Sequence, residues 1–231
     1  MISVLIWCYS RQKHLDVTLP LWHKQEGVDY EIIMGIGPTI KPPIYKNTTI
    51  VLTHDLKLNK SMNLIRKAAH GDILLTTMCD MQVNSPTQLK RMLALYSDKH
   101  MVSERFIGKL PDGTRGRTVG TYLQCLMVSA AAIEQAGGWC ELYDNPDLAA
   151  YEDGDLVASL LEQGLNLELL STPEEEGVYH IDHEGPDMTD PVYLERCRKG
   201  RELFFTRHKE GIMALYAKQF ARNMMRQRAI T

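Results

Sequence analysis

The sequence predicts a single α/β domain built on a parallel sheet, with helices on its faces and a helical tail at its C-terminus. Three observations carry this reading. Ile2 to Trp7 is a continuous apolar run of strand length, and Asp72 to Met78 reads as a second buried strand, as expected of parallel strands covered on both faces. Segments of helical periodicity alternate with the strands, beginning strand, helix, strand, which is the start of a parallel α/β sheet. The chain has 231 residues and neither an internal repeat nor a low-complexity segment, so one full core is expected.

The elements follow in order. After the strand Ile2 to Trp7 comes Tyr9-Ser10-Arg11, then a helical pattern through Leu15, Leu19 and Leu21-Trp22 that Pro20 is expected to interrupt or bend. Tyr30 to Met34 is a short strand ending in Gly35-Ile36-Gly37-Pro38. Gly35 and Gly37 invite a dinucleotide-binding reading, but Ile40 stands where the third glycine belongs and Pro38 and Pro42-Pro43 oppose an immediate helix. Ile50 to Leu52 is a third strand. Asn59 to Asn63 leads a helix with Met62, Ile65 and Ala69 on one face, and Gly71 closes it before the strand Asp72 to Met78. Thr87 to Tyr96 is an amphipathic helix. Phe106 to Gly120, polar and rich in Gly and Arg, is expected to be a loop. Tyr122 to Ala136 passes from strand to short helix and ends at Gly137-Gly138. Leu156, Leu160 and Leu161 mark a helix that Gly164 terminates, and Asn166 to Leu170 is a short strand. After Gly185 to Pro191 the tail reads as one or two helices broken near Gly211. Lys218, Arg222 and Arg226 repeat every four residues on a face separate from Ile212, Leu215, Tyr216, Phe220 and Met224.

Composition limits the function classes. No run of about 18 apolar residues is present, so no membrane span is expected, and MISVLIWCYS lacks the basic region and cleavage site of a signal peptide. The five cysteines are scattered without a Cys-x-x-Cys, which predicts buried free thiols in a reducing compartment rather than a cysteine metal site. The expected setting is the cytoplasm, or the periphery of a membrane. From Glu195 to Thr231 there are ten Lys/Arg and three Asp/Glu, whereas the rest of the chain holds 16 basic and 26 acidic residues. The tail is therefore expected to meet something anionic: the acidic body, a second copy of the chain, or a peripheral anionic surface.

Two acidic clusters carry candidate chemistry. Glu152-Asp153-Gly154-Asp155 places three carboxylates within four residues, just before a helix. Asp155 is expected to cap that helix, but mutual repulsion leaves no simple structural reason for all three. Asp80 follows the strand Asp72 to Met78, at the carboxyl end of the sheet where ligands bind in open α/β folds. Its alternative role is to cap the turn before Asn84-Ser85-Pro86. His180 and His183, spaced His-x-x-His after an acidic stretch, form a stronger metal signal than a lone histidine, though neither zincin pattern is present. If both stand on one strand they face opposite sides, so only one would be a ligand.

The order Gly137-Gly138-Trp139, about a dozen residues, Glu152-Asp153-Gly154-Asp155-Leu156 and a helix ending at Gly164 resembles the acceptor-side half of family 2 glycosyltransferases. The resemblance covers roughly residues 1 to 185. It implies a GT-A fold (Rossmann-like): one α/β domain with a mixed, mostly parallel sheet and helices on both faces, with residues 186–231 a basic helical extension packed on it. It implies that Asp153 is the base that deprotonates the acceptor hydroxyl and that Glu152 orients the acceptor. Tyr9 and Arg11 would lie beside the nucleotide base, Asn63 would contact the nucleotide, and Lys60 would reach a phosphate. The family's Asp-x-Asp falls on Met78-Cys79-Asp80, so the first Asp is lost and the metal-binding second, Asp80, is kept. A late histidine, His180 or His183, would complete a shell for Mn²⁺ or Mg²⁺, imidazole favouring Mn²⁺. The second strand departs from the family at Gly35, where an Asp that holds uracil is usual.

The expected activity is inverting, metal-dependent transfer of a sugar from a nucleoside-diphosphate sugar, UDP-sugars favoured, to an acceptor hydroxyl. The acceptor class stays open among glycan, lipid-linked, protein and nucleic-acid hydroxyls. The alternative is a catalytically inactive protein of the same fold that binds a sugar nucleotide or glycan, which Met78 and Gly35 support and the joint presence of Glu152, Asp153, Asp80 and the histidines opposes.

Overall fold

The computed structural model describes residues 1–54, 56–109, 115–119, 125–170, 172–181, 189–211, 214–215 and 217–218, without the side chains of residues 105–109, 115–119, 153 and 174. The elements run β1 (Ile2–Cys8), α1 (Gln12–Trp22), β2 (Tyr30–Ile36), β3 (Thr48–Leu52), α2 (Leu58–Lys67), β4 (Ile73–Met78), β5 (Met81–Val83), α3 (Gln88–Leu95), β6 (His100–Lys109) and β7 (Arg115–Val119). They continue with β8 (Leu126–Ser129), α4 (Ala130–Gln135), a 3₁₀ turn (Glu141–Asp144), α5 (Glu152–Glu162), β9 (Asn166–Leu170), a second 3₁₀ turn (Glu174–Glu176), β10 (Val178–His180) and α6 (Pro191–Arg207).

The strands join in one hydrogen-bonded array with two parts. The main part has the order β3-β2-β1-β4-β8-β6-β9, in which β3, β2, β1 and β4 are mutually parallel and β8 is antiparallel to both β4 and β6. The long β6 then leaves this part, and its second half pairs with β7 and β10, while β10 carries the short β5. The sheet is thus mixed, with a parallel core that holds the apolar runs.

Alternating residues of the parallel strands feed two cores. Val4, Ile6, Ile32 and Met34 pack with Leu15, Leu19 and Trp22 of α1 and Leu89 and Met92 of α3. Leu5, Ile33 and Leu74 pack on the other face with Met62 and Ile65 of α2, Ile133 of α4 and Leu156, Val157 and Leu160 of α5. Helices therefore cover both faces, and burial on both sides explains why these strands lack polar alternation.

Three local expectations are corrected. Helix α1 runs through Pro20, which sits in its last turn, where only one intrahelical bond is lost. The polar stretch expected as a loop contributes the second half of β6 and all of β7, paired antiparallel from Arg105↔Val119 to Lys109↔Arg115; cross-strand pairing overrode its Gly-rich local preference. All five cysteines are free, but only Cys8, Cys79 and Cys125 are buried, while Cys140 and Cys197 are partly exposed. Among the described residues no helix is long and apolar enough to cross a membrane.

Candidate active site

The site begins where two parallel strands end side by side. Trp7 of β1 is in register with Met78 of β4, and the Cys79 N–H donates to the Trp7 carbonyl at 3.2 Å. The segments that follow, Tyr9-Ser10-Arg11 and Cys79-Asp80, therefore leave the sheet together. This brings Arg11 onto Asp80, with Nη1 donating to Oδ2. Asp80 is 2% exposed, so the pair is anchored on a buried carboxylate, whereas the Arg11 side chain stays partly open to solvent.

β10 delivers the third member. His180 lies opposite Met81 in the β10–β5 pairing, and the Ile181 N–H donates to the Asp80 carbonyl at 2.8 Å. His180 Nε2 then stands 3.6 Å from Asp80 Oδ2. Two ligand atoms of one small octahedral ion, bound at about 2.1 Å each, lie about 3 Å apart, so this carboxylate and imidazole fit a divalent ion after a small contraction. Among the described residues no group of three or more His, Cys, Asp and Glu is gathered for a metal. The pair would thus supply two ligands and leave the other positions to phosphate oxygens and water, the usual manner of binding a metal–nucleotide complex. His183 lies outside the described residues.

The acidic segment is reached through the Gly137-Gly138 turn. Both glycines have positive φ, +83° and +77°, and a Cβ on Gly138 would stand 2.4 Å from Asn63 Oδ1. Asn63 closes the turn. Its Oδ1 accepts from the Trp139 N–H at 2.9 Å, and its Nδ2 donates to the Trp139 carbonyl at 2.9 Å and to Glu141 Oε1 at 3.1 Å. The Asn63 side-chain amide is thus engaged on both sides by the turn.

The 3₁₀ turn that follows carries a residue the sequence reading missed. Asp144 caps helix α2 across 85 positions of sequence, accepting from the Asn59 N–H at 3.0 Å and the Lys60 N–H at 2.8 Å. Residue 57 at the N-cap is a lysine with no side-chain capping bond, and Asp144 supplies the missing acceptor and the favourable charge. Lys60 contributes this backbone N–H, and its side chain is exposed on α2.

Helix α5 opens at Glu152 after two consecutive left-handed residues, Ala150 (φ +61°) and Tyr151 (φ +69°). Non-glycine residues held there cost about 1–3 kcal/mol each, and such strain clusters at functional sites. Glu152 lines a cavity of about 420 Å³ together with Trp7, Met78, Asn59, Tyr143 and Arg196, a size usual for small-molecule sites. Burial, with a smaller contribution from the nearby Asp144 charge, pushes the Glu152 carboxyl above the ordinary range. The Asp153 side chain lies outside the described residues; its backbone is in the first turn of α5, beside Glu152.

Asp155 corrects the expectation that it caps α5. The cap position is Tyr151, and Asp155 points inward, 1% exposed. Arg207, the last residue of α6, grips it with Nε donating to Oδ1 at 2.6 Å and Nη2 to Oδ2 at 3.1 Å, and His208 Nε2 is 3.0 Å from Oδ1. His208 Nδ1 in turn lies 3.0 Å from Glu162 Oε2. Burial raises the Asp155 pKa, but the hydrogen bonds and charges of His208 and Arg207 outweigh it and hold the carboxyl below its usual range. Burial alone would lower His208; its two carboxylate partners reverse this and raise it.

Two further expectations meet local geometry. Tyr9 is partly exposed and stacks on Trp7, ring centroids 6.0 Å apart. At Gly35, where the family pattern has an acid, a Cβ would lie 2.3 Å from Ile65 Cδ1 and 2.7 Å from its Cγ1. The Ile65 side chain of α2 fills that space and would have to move for any larger residue.

The sequence matches no protein-family model and no curated protein. Solved structures do resemble the fold. The chain aligns over 97% of its length with 72% of S. aureus TarS 1-349 in complex with UDP-GlcNAc, at a TM-score of 0.65 and 15% identity. It aligns over 94% of its length with 69% of the mannosyltransferase PcManGT from Pyrobaculum calidifontis in complex with GDP-Man and Mn²⁺, at a TM-score of 0.60 and 12% identity. Against S. aureus TarS the TM-score is 0.58 with 14% identity, and the chain spans 36% of that protein's length; it spans 60% of a TarS 1-349 chain. At these identities the likeness is one of fold, and the fold is the α/β fold of GT-A glycosyltransferases.

Proposed function

We propose that the protein is an inverting glycosyltransferase that moves a sugar from a nucleoside-diphosphate sugar to an acceptor hydroxyl. The observation that carries this is the cavity that joins the ends of β1 and β4, at Trp7 and Met78, to Glu152 at the start of α5. A donor held at Asp80, two residues beyond Met78, would extend its sugar toward that acidic segment. UDP-GlcNAc and GDP-Man in the fold neighbours support a nucleotide-sugar donor.

In this reading Asp153 takes the proton of the acceptor hydroxyl while the hydroxyl oxygen bonds to the anomeric carbon. The bond from that carbon to the diphosphate breaks as the new one forms, and the electron pair leaves with the phosphate oxygen. A base within hydrogen-bond reach contributes about 10²- to 10⁴-fold. Glu152 orients the acceptor from the wall of the cavity. Asp80 and His180 would hold Mn²⁺ or Mg²⁺, which when bound supplies a charge clamp for the leaving diphosphate. Of the two histidines, His180 is favoured by its 3.6 Å approach to Asp80.

The reading as a binding protein without turnover has one observation in its favour: Met78 lines the cavity where the family pattern carries an Asp. Donor assays separate the two. With Mn²⁺ present, UDP-GlcNAc or GDP-Man should raise the melting temperature, and slow hydrolysis of the donor should release free nucleoside diphosphate. A ligand at about 100 times its dissociation constant adds about 2.7 kcal/mol of stability. Asp80→Ala should abolish the metal-dependent part of the shift in a folded protein. Binding without any hydrolysis would favour the binding protein, and unchanged metal-dependent binding by Asp80→Ala would remove Asp80 as a ligand.

A further inference from the structure

We propose that Arg11 is an exchangeable cation that holds Asp80 in the free protein and passes to the donor's diphosphate when a divalent ion takes Asp80 and His180. The proposal rests on Asp80 and His180 being the protein's metal ligands, and it adds a condition on when they can act as such.

The geometry poses a conflict that one carboxylate cannot resolve by itself. Oδ2 of Asp80 receives Arg11 Nη1 and stands 3.6 Å from His180 Nε2. An ion bridging Asp80 and His180 would meet the guanidinium on the same oxygen. Arginine cannot shed its charge to make room, and a dication and a guanidinium a few ångströms apart repel strongly in a poorly solvated site. Arg11 and the metal therefore compete for Asp80 while no other anion is present.

A diphosphate removes the conflict. Its oxygens supply the negative charge that lets the metal and the guanidinium lie close together, and they match the planar fork of arginine. Arg11 is built for such a transfer. Its backbone is fixed as the first residue of the α1 cap, its carbonyl accepting from the N–H of His14 and Leu15, both at 3.1 Å. Its side chain, on the open side of a buried carboxylate, has 38% of its surface exposed and room to swing. Metal binding thus becomes conditional on the nucleotide, and the free protein does not hold a divalent ion tightly without its donor.

Manganese binding reads this directly, without turnover. Free Mn²⁺ is quantified by electron paramagnetic resonance in titrations of wild type, Arg11→Ala, Arg11→Gln and Asp80→Ala, alone and with UDP or GDP. Wild type should bind Mn²⁺ weakly alone and on the order of ten-fold or more tightly with the preferred diphosphate, the size of an ordinary coupling between sites. Arg11→Ala should bind Mn²⁺ alone on the order of ten-fold more tightly than wild type, lose most of the coupling, and bind the diphosphate more weakly. Arg11→Gln, which is shorter but keeps a polar amide and removes the charge, should behave the same way. An affinity for Mn²⁺ alone that is unchanged or lowered in both folded Arg11 variants overturns the exchange. If Asp80→Ala loses nucleotide-dependent Mn²⁺ binding while the Arg11 variants match wild type, only the exchange fails. If Asp80→Ala binds like wild type, the metal assignment itself fails.

Discussion

Asp155 carries a buried charge that three elements share. Arg207 and His208 reach it from the end of α6, and Tyr143 donates to it at 3.4 Å from the 3₁₀ turn that also caps α2. Its sequence position, four residues into an acidic cluster, suggested a helix cap with a value of about 1 kcal/mol. The structure makes it an anchor for α6. Asp155→Ala would deprive Arg207 of its carboxylate and leave His208 with Glu162 alone. Removing one member of a buried pair costs about 3–5 kcal/mol, and the partial exposure of Arg207 reduces this to about 2–4 kcal/mol. Urea denaturation checks the value, and a loss below about 1 kcal/mol would return Asp155 to the role of a cap. The pH dependence has two limbs. The depressed Asp155 pKa stabilises the fold above the ordinary carboxylate value near 3.9 and loses that effect as pH falls through the folded value. The raised His208 pKa stabilises it below the ordinary value near 6.5 and loses that effect as pH rises through the folded value. The cluster should therefore contribute most between about pH 4 and 6.5, and His208→Gln should flatten the alkaline limb of a urea-midpoint profile against pH.

Among the elements, the Gly137-Gly138 turn sets where the acidic helix starts. Asn63 of α2 holds the turn, the turn aims the 3₁₀ segment, and Asp144 of that segment caps α2 in return. This closed loop of contacts makes Asn63 a candidate positioning residue. Asn63→Ala should lower stability by about 2–3 kcal/mol through three lost hydrogen bonds, one of them to a carboxylate. It should lower turnover through the displaced acidic segment and leave UDP or GDP affinity within about threefold of wild type, as for lost transition-state positioning rather than ground-state binding. A large loss of nucleotide affinity at preserved stability would instead support the nucleotide contact expected of Asn63. The strands, helices and turn glycines of this region were legible because period, apolar runs and positive-φ glycines are local signals. The Asp144 cap was not, since nothing near Asn59 announces a carboxylate 85 positions on. The pairing of β6 with β7 was missed for a related reason: sheet partners override local polarity and glycine content.

Across the whole molecule, the candidate site draws on both halves of the sheet. The ends of β1 and β4 bring Arg11 and Asp80 together, β10 adds His180 across its pairing with β5, and α5 brings Glu152 to the same cavity as Trp7 and Met78. Helix α6 is tied to this body at two points, the Ala149 N–H donating to the Arg196 carbonyl at 3.1 Å and Arg207 gripping Asp155. The sequence paired Asp80 with a late histidine, and strand register is what brings His180 to it. The Arg11–Asp80 pair also depends on register, formed by two residues 69 positions apart that had been given separate roles.

The central claim is that an acidic residue at the start of α5 acts as the base, and Asp153→Asn tests it most directly. The substitution keeps the size of the side chain and removes its ability to take a proton at neutral pH. Donor turnover, measured as nucleoside diphosphate released from the preferred sugar nucleotide with Mn²⁺, should fall by about 10²- to 10⁴-fold in kcat. Donor affinity should stay within about threefold, because in the proposed function the diphosphate would be held on the Asp80 side. Turnover within about threefold of wild type, in a folded protein that still binds donor, would contradict the account and remove Asp153 as the base.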